Sequence, residues 1–522
     1  MRTFSIQTLG CKVNQYEGDQ IAQVLRAHGL VETKDGPVDI RVINTCSVTS
    51  AAAKDSRSLT RRSVNLAGKT IVTGCWATSD AKVAEQLGAD VVLTHHDDVA
   101  KKLSELLNHW NVSQKTFRHS DNTTAAVEGF HPAKATGGVS ASSMVATELD
   151  LFSLPLRERV GDRGAASDSS ATIYDKHLPF TPAVSRRGRG GQTHTGTHSL
   201  PLLNQRQSSH QRAFLKIQDG CDAHCTYCII PQLRPGLWSK PVHDVVREAR
   251  QLVDAGHQEL ILTGIFLGAY GESTALRRRQ EGPTGSGIRE LIDALCTQVP
   301  NLRRVRLSSL EPGDLTSELI ATLKSHPQIV PHFHLPLQSG SDLLLKRMNR
   351  QYTRDDFIQM IDRVNEAFDR PALTTDIIVG FPGETADEFA RTLEIVDRAK
   401  FIHIHAFSFS ARPGTAAARW TKDFVRGPVV NERIAILNAL ARAFSERYRT
   451  QFIGETVEVL VEQFEDPATV VRHGRCERYF DVYFEGSHPA GESVKVRIDR
   501  VTPTRTFGVQ VRRSLPVLAA TP

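Results

Sequence analysis

Over the first hundred residues, short apolar runs alternate with segments whose apolar positions recur every three or four residues. "TFSIQTLG" (3–10), "DIRVIN" (39–44), "KTIVTG" (69–74) and "DVVLT" (90–94) read as strands, and "YEGDQIAQVLRAHG", "AAAKDSRSLTRRSV" and "DAKVAEQLG" as the helices between them. Strands separated by helices predict an open parallel α/β sheet across residues 1–112.

The pattern dissolves between residues 113 and 211, where "ATGGVSASS" and "SRRGRGGQTHTGTHS" are typical. Such a stretch buries too little apolar area to offset its ordering entropy, so a mostly disordered linker or insertion is expected. Within it, "ELDLFSLPL" (148–156) reads as a local docking element.

Periodicity returns at "AFLKIQ" (213–218) and continues through "ELILTG" (259–264), "RVRLSSL" (304–310), "HFHLPL" (332–337), "TTDIIVG" (374–380) and "FIHIHAFSFS" (401–410). Helical patterns such as "PVHDVVREARQLVDAG" and "TADEFARTLEIVDRA" separate these runs. Six β/α units predict a partial (β/α)6 barrel over residues 212–450, with its chemistry at the carboxyl ends of the strands. After a long helix, "ETVEVLVEQ", "YFDVYFEG" and "SVKVRIDRV" alternate with period two, which predicts a small antiparallel β-barrel within residues 451–515.

A chain of 522 residues needs two to four cores, in keeping with this division. The formal charge of +6 permits a nucleic-acid partner without demanding one. No run of about 18 apolar residues is present to span a bilayer. Arg2, Gln7 and Thr8 interrupt any export signal before Cys11, so a cytoplasmic location and no membrane partner are expected. Eight cysteines are too sparse for a disulfide scaffold and read as reduced thiols or metal ligands.

"CDAHCTYC" sets Cys221, Cys225 and Cys228 in a C-x3-C-x2-C spacing directly after the first barrel strand. Three thiolates in one loop can hold three irons of a [4Fe–4S] cluster and leave the fourth open for a small molecule. A zinc site is the alternative; it needs a fourth ligand, for which only His224 is nearby. Cys11, Cys46 and Cys75 each follow a predicted strand, and positions just past neighbouring parallel strands converge on one crevice. These three are either a second three-thiol centre or independent small core residues. Cys296 and Cys476 have no such partners and read as structural.

Cys221, Cys225, Tyr227 and Cys228 together form C-x3-C-x-aromatic-C, which resembles the signature of radical S-adenosylmethionine (SAM) enzymes. With the N-terminal cysteines and the C-terminal β-domain, nearly the whole chain outside residues 113–211 resembles the radical SAM methylthiotransferases. The resemblance implies that SAM chelates the open iron and yields a 5′-deoxyadenosyl radical, with no side-chain acid or base required. It implies a radical SAM [4Fe–4S] cluster on Cys221, Cys225 and Cys228, and an auxiliary [4Fe–4S] cluster on Cys11, Cys46 and Cys75, where sulfur is methylated before insertion.

Family members act on tRNA adenosines bearing isopentenyl or threonylcarbamoyl groups, or on a ribosomal-protein aspartate. "GCKVNQYE", "LSSLEP", "LPLQSGSD", "LKRMNRQYT", "DIIVGFPGET" and "ARPGTAAA" look most like the threonylcarbamoyl branch. The expected reaction is therefore conversion of N6-threonylcarbamoyladenosine, 3′ of the anticodon, to its 2-methylthio derivative. The alternatives are the isopentenyl or ribosomal-protein reaction, and, from another class, a non-catalytic metal-stabilised RNA-binding protein. A tRNA anticodon stem-loop and a flavodoxin or ferredoxin donor are the implied partners, with the chain a monomer.

Thr263, Gly264, Ser308, Glu311, Gln338, Ser339, Gly340 and Gly380 fall at or after predicted barrel strands, as candidate SAM contacts or as turn residues. The C-terminal module resembles a TRAM domain, which grips RNA in this family. From Gln451 onward, however, nine Lys or Arg face ten Asp or Glu, so any basic patch must be local: Arg497, Arg500, Arg505, Arg512 and Arg513. Lys54, Arg57, Arg61 and Arg62 share a helical face near Cys46, either as an RNA guide or as a solvated surface. "LRPGLWSK" departs from the family in Pro235 and Trp238, while Arg234 and Lys240 retain positive charge there.

Overall fold

The computed structural model describes residues 3–33, 36–110, 196–205, 211–276, 286–462 and 470–511. Near-continuous apolar strands need cover on both faces. In the N-terminal region β1 (Thr3–Thr8), β2 (Val31–Glu32), β3 (Val38–Thr45), β4 (Ala67–Gly74) and β5 (Val91–Val92) form one sheet in the order β2-β1-β3-β4-β5. Every pairing in it is parallel. Around it lie α1 (Lys12–Ala27), α2 (Ser50–Ser63), α3 (Cys75–Ser79), α4 (Ala81–Gln86) and α5 (Val99–His109). Thr49 caps α2 by accepting from Ala52 N, and Asp98 caps α5 by accepting from Lys101 N. The sequence pattern missed β2 and overstated β5: strands of two residues carry too little alternation to read.

The second region opens with β6 (Ala213–Lys216), followed by β7 (Gln218–Asp219), α6 (Ile230–Leu233), β8 (Trp238–Ser239) and α7 (Val242–Asp254). Next come β9 (Glu259–Thr263), α8 (Ser286–Gln298), β10 (Arg304–Leu307), α9 (Ser317–Ser325), β11 (His332–His334), α10 (Asp342–Arg347) and α11 (Arg354–Ala367). The region ends with β12 (Ala372–Val379), α12 (Ala386–Ala399), β13 (His403–Ser408) and α13 (Gly427–Thr450). Parallel sheets β10-β9-β6 and β11-β12-β13 meet through bridges Val305↔Ile329 and Ser309↔His334. The result is a six-stranded partial barrel, with β6 and β13 as the edges on either side of its gap. "AFLKIQ" divides in two, because Gln218–Asp219 leaves β6 to pair antiparallel with Trp238–Ser239.

At the C-terminal end, β14 (Thr456–Val461), β15 (Val471–Cys476), β16 (Asp481–Glu485), β17 (Ser493–Val501) and β18 (Thr506–Gln510) close a barrel in the order β14-β15-β16-β18-β17. Three of these strands were legible as alternating runs; β15 and β18 were not, since each spends a position on a glycine where strands press together. A Cβ on Gly474 would lie 2.1 Å from Leu460 O, and one on Gly508 2.5 Å from Arg497 O. The closure also includes one parallel bridge, Tyr483↔Phe507, in an otherwise antiparallel barrel. Cys476 is buried in this core and Cys296 in the core of the partial barrel.

The expected linker differs at its C-terminal end. Leu200 and Leu203 are buried, and Gln20 and Gln23 of α1 donate to Pro201 O (2.8 Å) and Leu202 O (2.7 Å). Backbone carbonyls, unreadable from side-chain composition, anchor this piece. "ELDLFSLPL" lies outside the described residues.

Candidate active site

The loop after β6 is shaped by backbone demands. Gly220 has φ +76°, and a Cβ there would fall 1.6 Å from Gly236 O, so only glycine fits. Cys221, Cys225 and Cys228 follow, all partly buried, and the loop is held from the barrel side. Thr226 N donates to Met348 O (3.0 Å), Asn349 Nδ2 to His224 O (3.1 Å), and Ala275 N to Asp222 Oδ1 (2.6 Å). Arg350 Nη1 donates to Cys225 Sγ at 3.2 Å and to Tyr227 OH at 3.3 Å, while its other arm pairs with Glu311. Burial pushes the Cys221 and Cys228 thiols up to about 12, with Cys225 adding to both shifts. Such thiols lose their protons only to a metal that replaces the missing solvation. His224 is exposed, with φ +51°.

The N-terminal cysteines come from three strand ends. Cys11 stands at the N-terminal boundary of α1 after β1, Cys46 follows β3, and Cys75 opens α3 after β4. Glycines allow the approach: a Cβ on Gly10 would stand 2.8 Å from Cys46 Sγ, and one on Gly74 2.4 Å from Asn44 Oδ1. Asn14 is the hub. Its Nδ2 donates to Leu9 O (3.0 Å) and Thr45 O (2.9 Å), and its Oδ1 lies 4.0 Å from both Cys11 Sγ and Cys75 Sγ. Cys46 and Cys75 are buried and Cys11 exposed. Burial raises the Cys75 thiol to about 12, with Cys11 and Cys46 among the neighbours that add to the rise. His95 Nε2 lies 3.6 Å from Cys75 Sγ, and burial lowers this imidazole to about 3, which keeps it neutral.

Both triads suit iron–sulfur clusters. Among the described residues no three His, Cys, Asp or Glu side chains converge to enclose a single metal ion. A four-iron cube presents its irons to separate sulfurs, so three cysteines would each meet a different iron. The two sites adjoin: Cys75 packs against Ile229, the residue after Cys228, and Leu233.

A buried ionic junction fastens α1 to the barrel. Arg234 pairs with Glu17 (2.7 Å) and Asp219 (2.9 Å), Lys216 with the same two carboxylates (2.7 and 2.6 Å), and Lys240 with Glu248 (2.5 Å). Arg234 and Lys240 are therefore structural, and their positive charge is not offered to a ligand. Trp238 stacks on His198 at 4.1 Å with Lys216 over its ring, covering the junction.

The candidate SAM residues divide by environment. Thr263 ends β9, Gly264 abuts Gln218, and Ser308 follows β10. Gln338 adopts φ +60° and bridges to Ile377, while Glu311 is held by Arg350. Ser339 is buried, with Ser341 N donating to its Oγ. Packing and backbone account for two glycines: a Cβ on Gly340 would lie 2.6 Å from Arg391 O, and one on Gly380, at φ +75°, 2.5 Å from Val430 Cγ2. Asn14, Asn349 and Arg350 stand within quoted motifs and His95 in none, but their contacts with the cysteines escaped the sequence reading, because nothing local marks a residue that meets the cysteines only after folding.

Inside the barrel, alternate residues of β11, β12 and β13 face the lumen. Thr374 Oγ1 joins His332 Nε2 (3.3 Å) and His334 Nδ1 (3.0 Å), and His334 Nε2 meets Asp376 Oδ2 at 3.2 Å. The His334 and His405 rings stand 5.9 Å apart, and His405 Nδ1 lies 3.3 Å from His403 Nε2. A cavity of about 560 Å³ opens beside His403 and His405, walled by α13 and by Arg475 and Tyr479 of the C-terminal barrel. Lys54, Arg57, Arg61 and Arg62 are exposed on α2, as are Arg497, Arg500 and Arg505; Arg512 and Arg513 lie outside the described residues.

A cysteine loop after the first strand of a six-stranded partial barrel, held by barrel residues from two other segments, defines a radical SAM enzyme. The radical SAM superfamily model matches residues 215–396, the uncharacterized protein family UPF0004 residues 3–94, and the TRAM domain residues 450–511. The threonylcarbamoyladenosine tRNA methylthiotransferase MtaB of Bacillus subtilis is 33% identical over 95% of this chain and 94% of its own. Its Thermotoga maritima counterpart is 32% identical over 95% and 94%. A tRNA-2-methylthio-N(6)-dimethylallyladenosine synthase of Novosphingobium aromaticivorans is 29% identical over 97% of both. The chain belongs to the radical SAM methylthiotransferases. SAM and one [4Fe–4S] cluster accompany that family.

Proposed function

We propose that this enzyme converts N6-threonylcarbamoyladenosine, 3′ of the anticodon in tRNA, to 2-methylthio-N6-threonylcarbamoyladenosine. The observation carrying the reading is the contact between two three-cysteine sites, Cys75 against Ile229, in a chain whose relatives from B. subtilis and T. maritima bear the threonylcarbamoyladenosine name. Cys221, Cys225 and Cys228 would hold the radical SAM cluster, and Cys11, Cys46 and Cys75 an auxiliary [4Fe–4S] cluster. Together the bound groups supply removal of hydrogen from an unactivated C–H and delivery of a methylthio sulfur.

The chain's own residues supply position and dryness. Arg350 donates to Cys225 Sγ and fixes Tyr227 at the cluster loop. Ile229 and Leu233 exclude water between the two sites. Thr263, Gly264, Ser308 and Gln338 line the rim where SAM would lie. The adenine must leave its stack to reach this face. The C-terminal barrel, with Arg497, Arg500 and Arg505 exposed, would grip the stem-loop phosphates.

The working parts on this reading are residues 1–112, 212–450 and 451–515, in a monomer served by a flavodoxin or ferredoxin. Its place of work would be the cytoplasm, where tRNA is; among the described residues no helix is long and apolar enough to cross a membrane. Nucleoside mass spectrometry of a deletion strain tests the substrate: the 2-methylthio-threonylcarbamoyl species should vanish. Loss of the 2-methylthio-isopentenyl species instead would transfer the assignment to the other branch.

A further inference from the structure

α1 packs along β6, one edge of the barrel's gap, and Lys12 is its first residue. The Lys12 ammonium is within electrostatic reach of Asp376, Tyr479, Arg306 and Arg212, and is felt in turn by His332 and His405. The other cations of this group are matched: Arg212 faces Glu462 at 3.4 Å, Arg306 faces Glu259 at 2.8 Å, and Arg475 faces Asp481 at 3.0 Å. Among the described residues Lys12 alone in this set has no carboxylate at ion-pair distance. Asp376 is engaged by His334, and His332 Nδ1 is buried with no hydrogen-bond partner.

We infer that the barrel lumen is a receptor for an amino-acid side chain carried on the substrate base, in which Lys12 binds its carboxylate and Asp376, His334 and His405 bind its hydroxyl and carbamoyl groups. The inference rests on the substrate proposed above and adds the residues that select it. An isopentenyl group would cover Lys12, Asp376 and the histidines without bonding them, and stranded polar groups are what make a site reject an apolar analogue. A threonylcarbamoyl group offers a carboxylate to Lys12, and a hydroxyl, N–H donors and a carbonyl to the carboxylate and imidazoles beside it.

The test is equilibrium binding of the cluster-loaded enzyme to anticodon stem-loop RNAs carrying the threonylcarbamoyl group, its carboxyl methyl ester, or isopentenyl. Wild type should bind the free acid roughly 10- to 100-fold more tightly than the ester, as expected for one charge-assisted hydrogen bond in a buried site. Lys12→Gln, with iron content and cluster absorbance unchanged, should bring that ratio close to one by weakening only the acid. An undiminished ratio in Lys12→Gln overturns the inference while leaving the substrate intact. Preference of wild type for isopentenyl RNA overturns the substrate reading itself. If Lys12→Gln does not assemble its cluster, His405→Phe carries the test: it should lose discrimination between acid and isopentenyl RNAs, and retained discrimination overturns the receptor.

Discussion

The two cysteine triads sit side by side yet are built by opposite means. The radical SAM triad spans eight consecutive residues of one loop, and distant side chains, Asn349 and Arg350, come to it. In the N-terminal triad the cysteines themselves are distant in sequence, brought from three strand ends by the parallel register and tied by one side chain, Asn14. A loop triad withstands change in the surrounding fold but depends on its buttress. A strand-end triad has its geometry set by the sheet and depends on the hub.

Replacement of one ligand in each triad should separate the two most strongly. Cys225→Ala is expected to reduce reductive SAM cleavage, followed as 5′-deoxyadenosine, to background. Cys11→Ala should retain cleavage, lose methylthiolation, and lower bound iron from about eight to about four per chain. Methylthiolation surviving in Cys11→Ala would show that the two triads are not both required.

The junction between the triads comes next. Burial alone would raise Glu17, but Arg234 and Lys216 outweigh it and hold this carboxyl well below the usual range. A carboxyl lowered by folding stabilises above its unfolded value near pH 4, and that contribution fades as pH falls further. Glu17→Gln leaves two buried cations short of a partner and should cost about 3 kcal/mol at pH 7, measured by urea unfolding. The gap from wild type should narrow below about pH 4.

The smallest expected effect is at the buttress. Arg350→Gln removes a charged donor from Cys225 Sγ and strands Glu311. The radical SAM cluster should become harder to reduce, with a more negative midpoint by EPR titration, at a stability cost of about 1–3 kcal/mol. An unchanged midpoint would mean that the loop alone tunes the cluster.

This contrast also explains what the chain disclosed before folding. Cys221, Cys225 and Cys228 were legible because their spacing is local, and Cys11, Cys46 and Cys75 because each repeats a strand-then-cysteine placement. The parallel sheet and barrel were legible through apolar periodicity, whereas β15 and β18 hid behind glycines needed for close strand contact. Arg234 read as a free cation because nothing in "LRPGLWSK" reveals that Glu17, 217 residues earlier, lies against it. Asn349 and Arg350 stood within a noted motif, yet their partners are set only by the way α10 returns to the cysteine loop.

α1 carries Cys11 at its head, Lys12 beside it, Glu17 in the ionic junction, and Gln20 and Gln23 clamped by residues 201–202. At about 1.5 Å per residue it works as a gauge rod. The interval between the sulfur-bearing end and the barrel is fixed by a helix whose sides are pinned, not by a loop that adjusts. With the lumen as the proposed receptor, new substrates would be fitted by changing what lines it, because changing the interval would mean unfastening the rod.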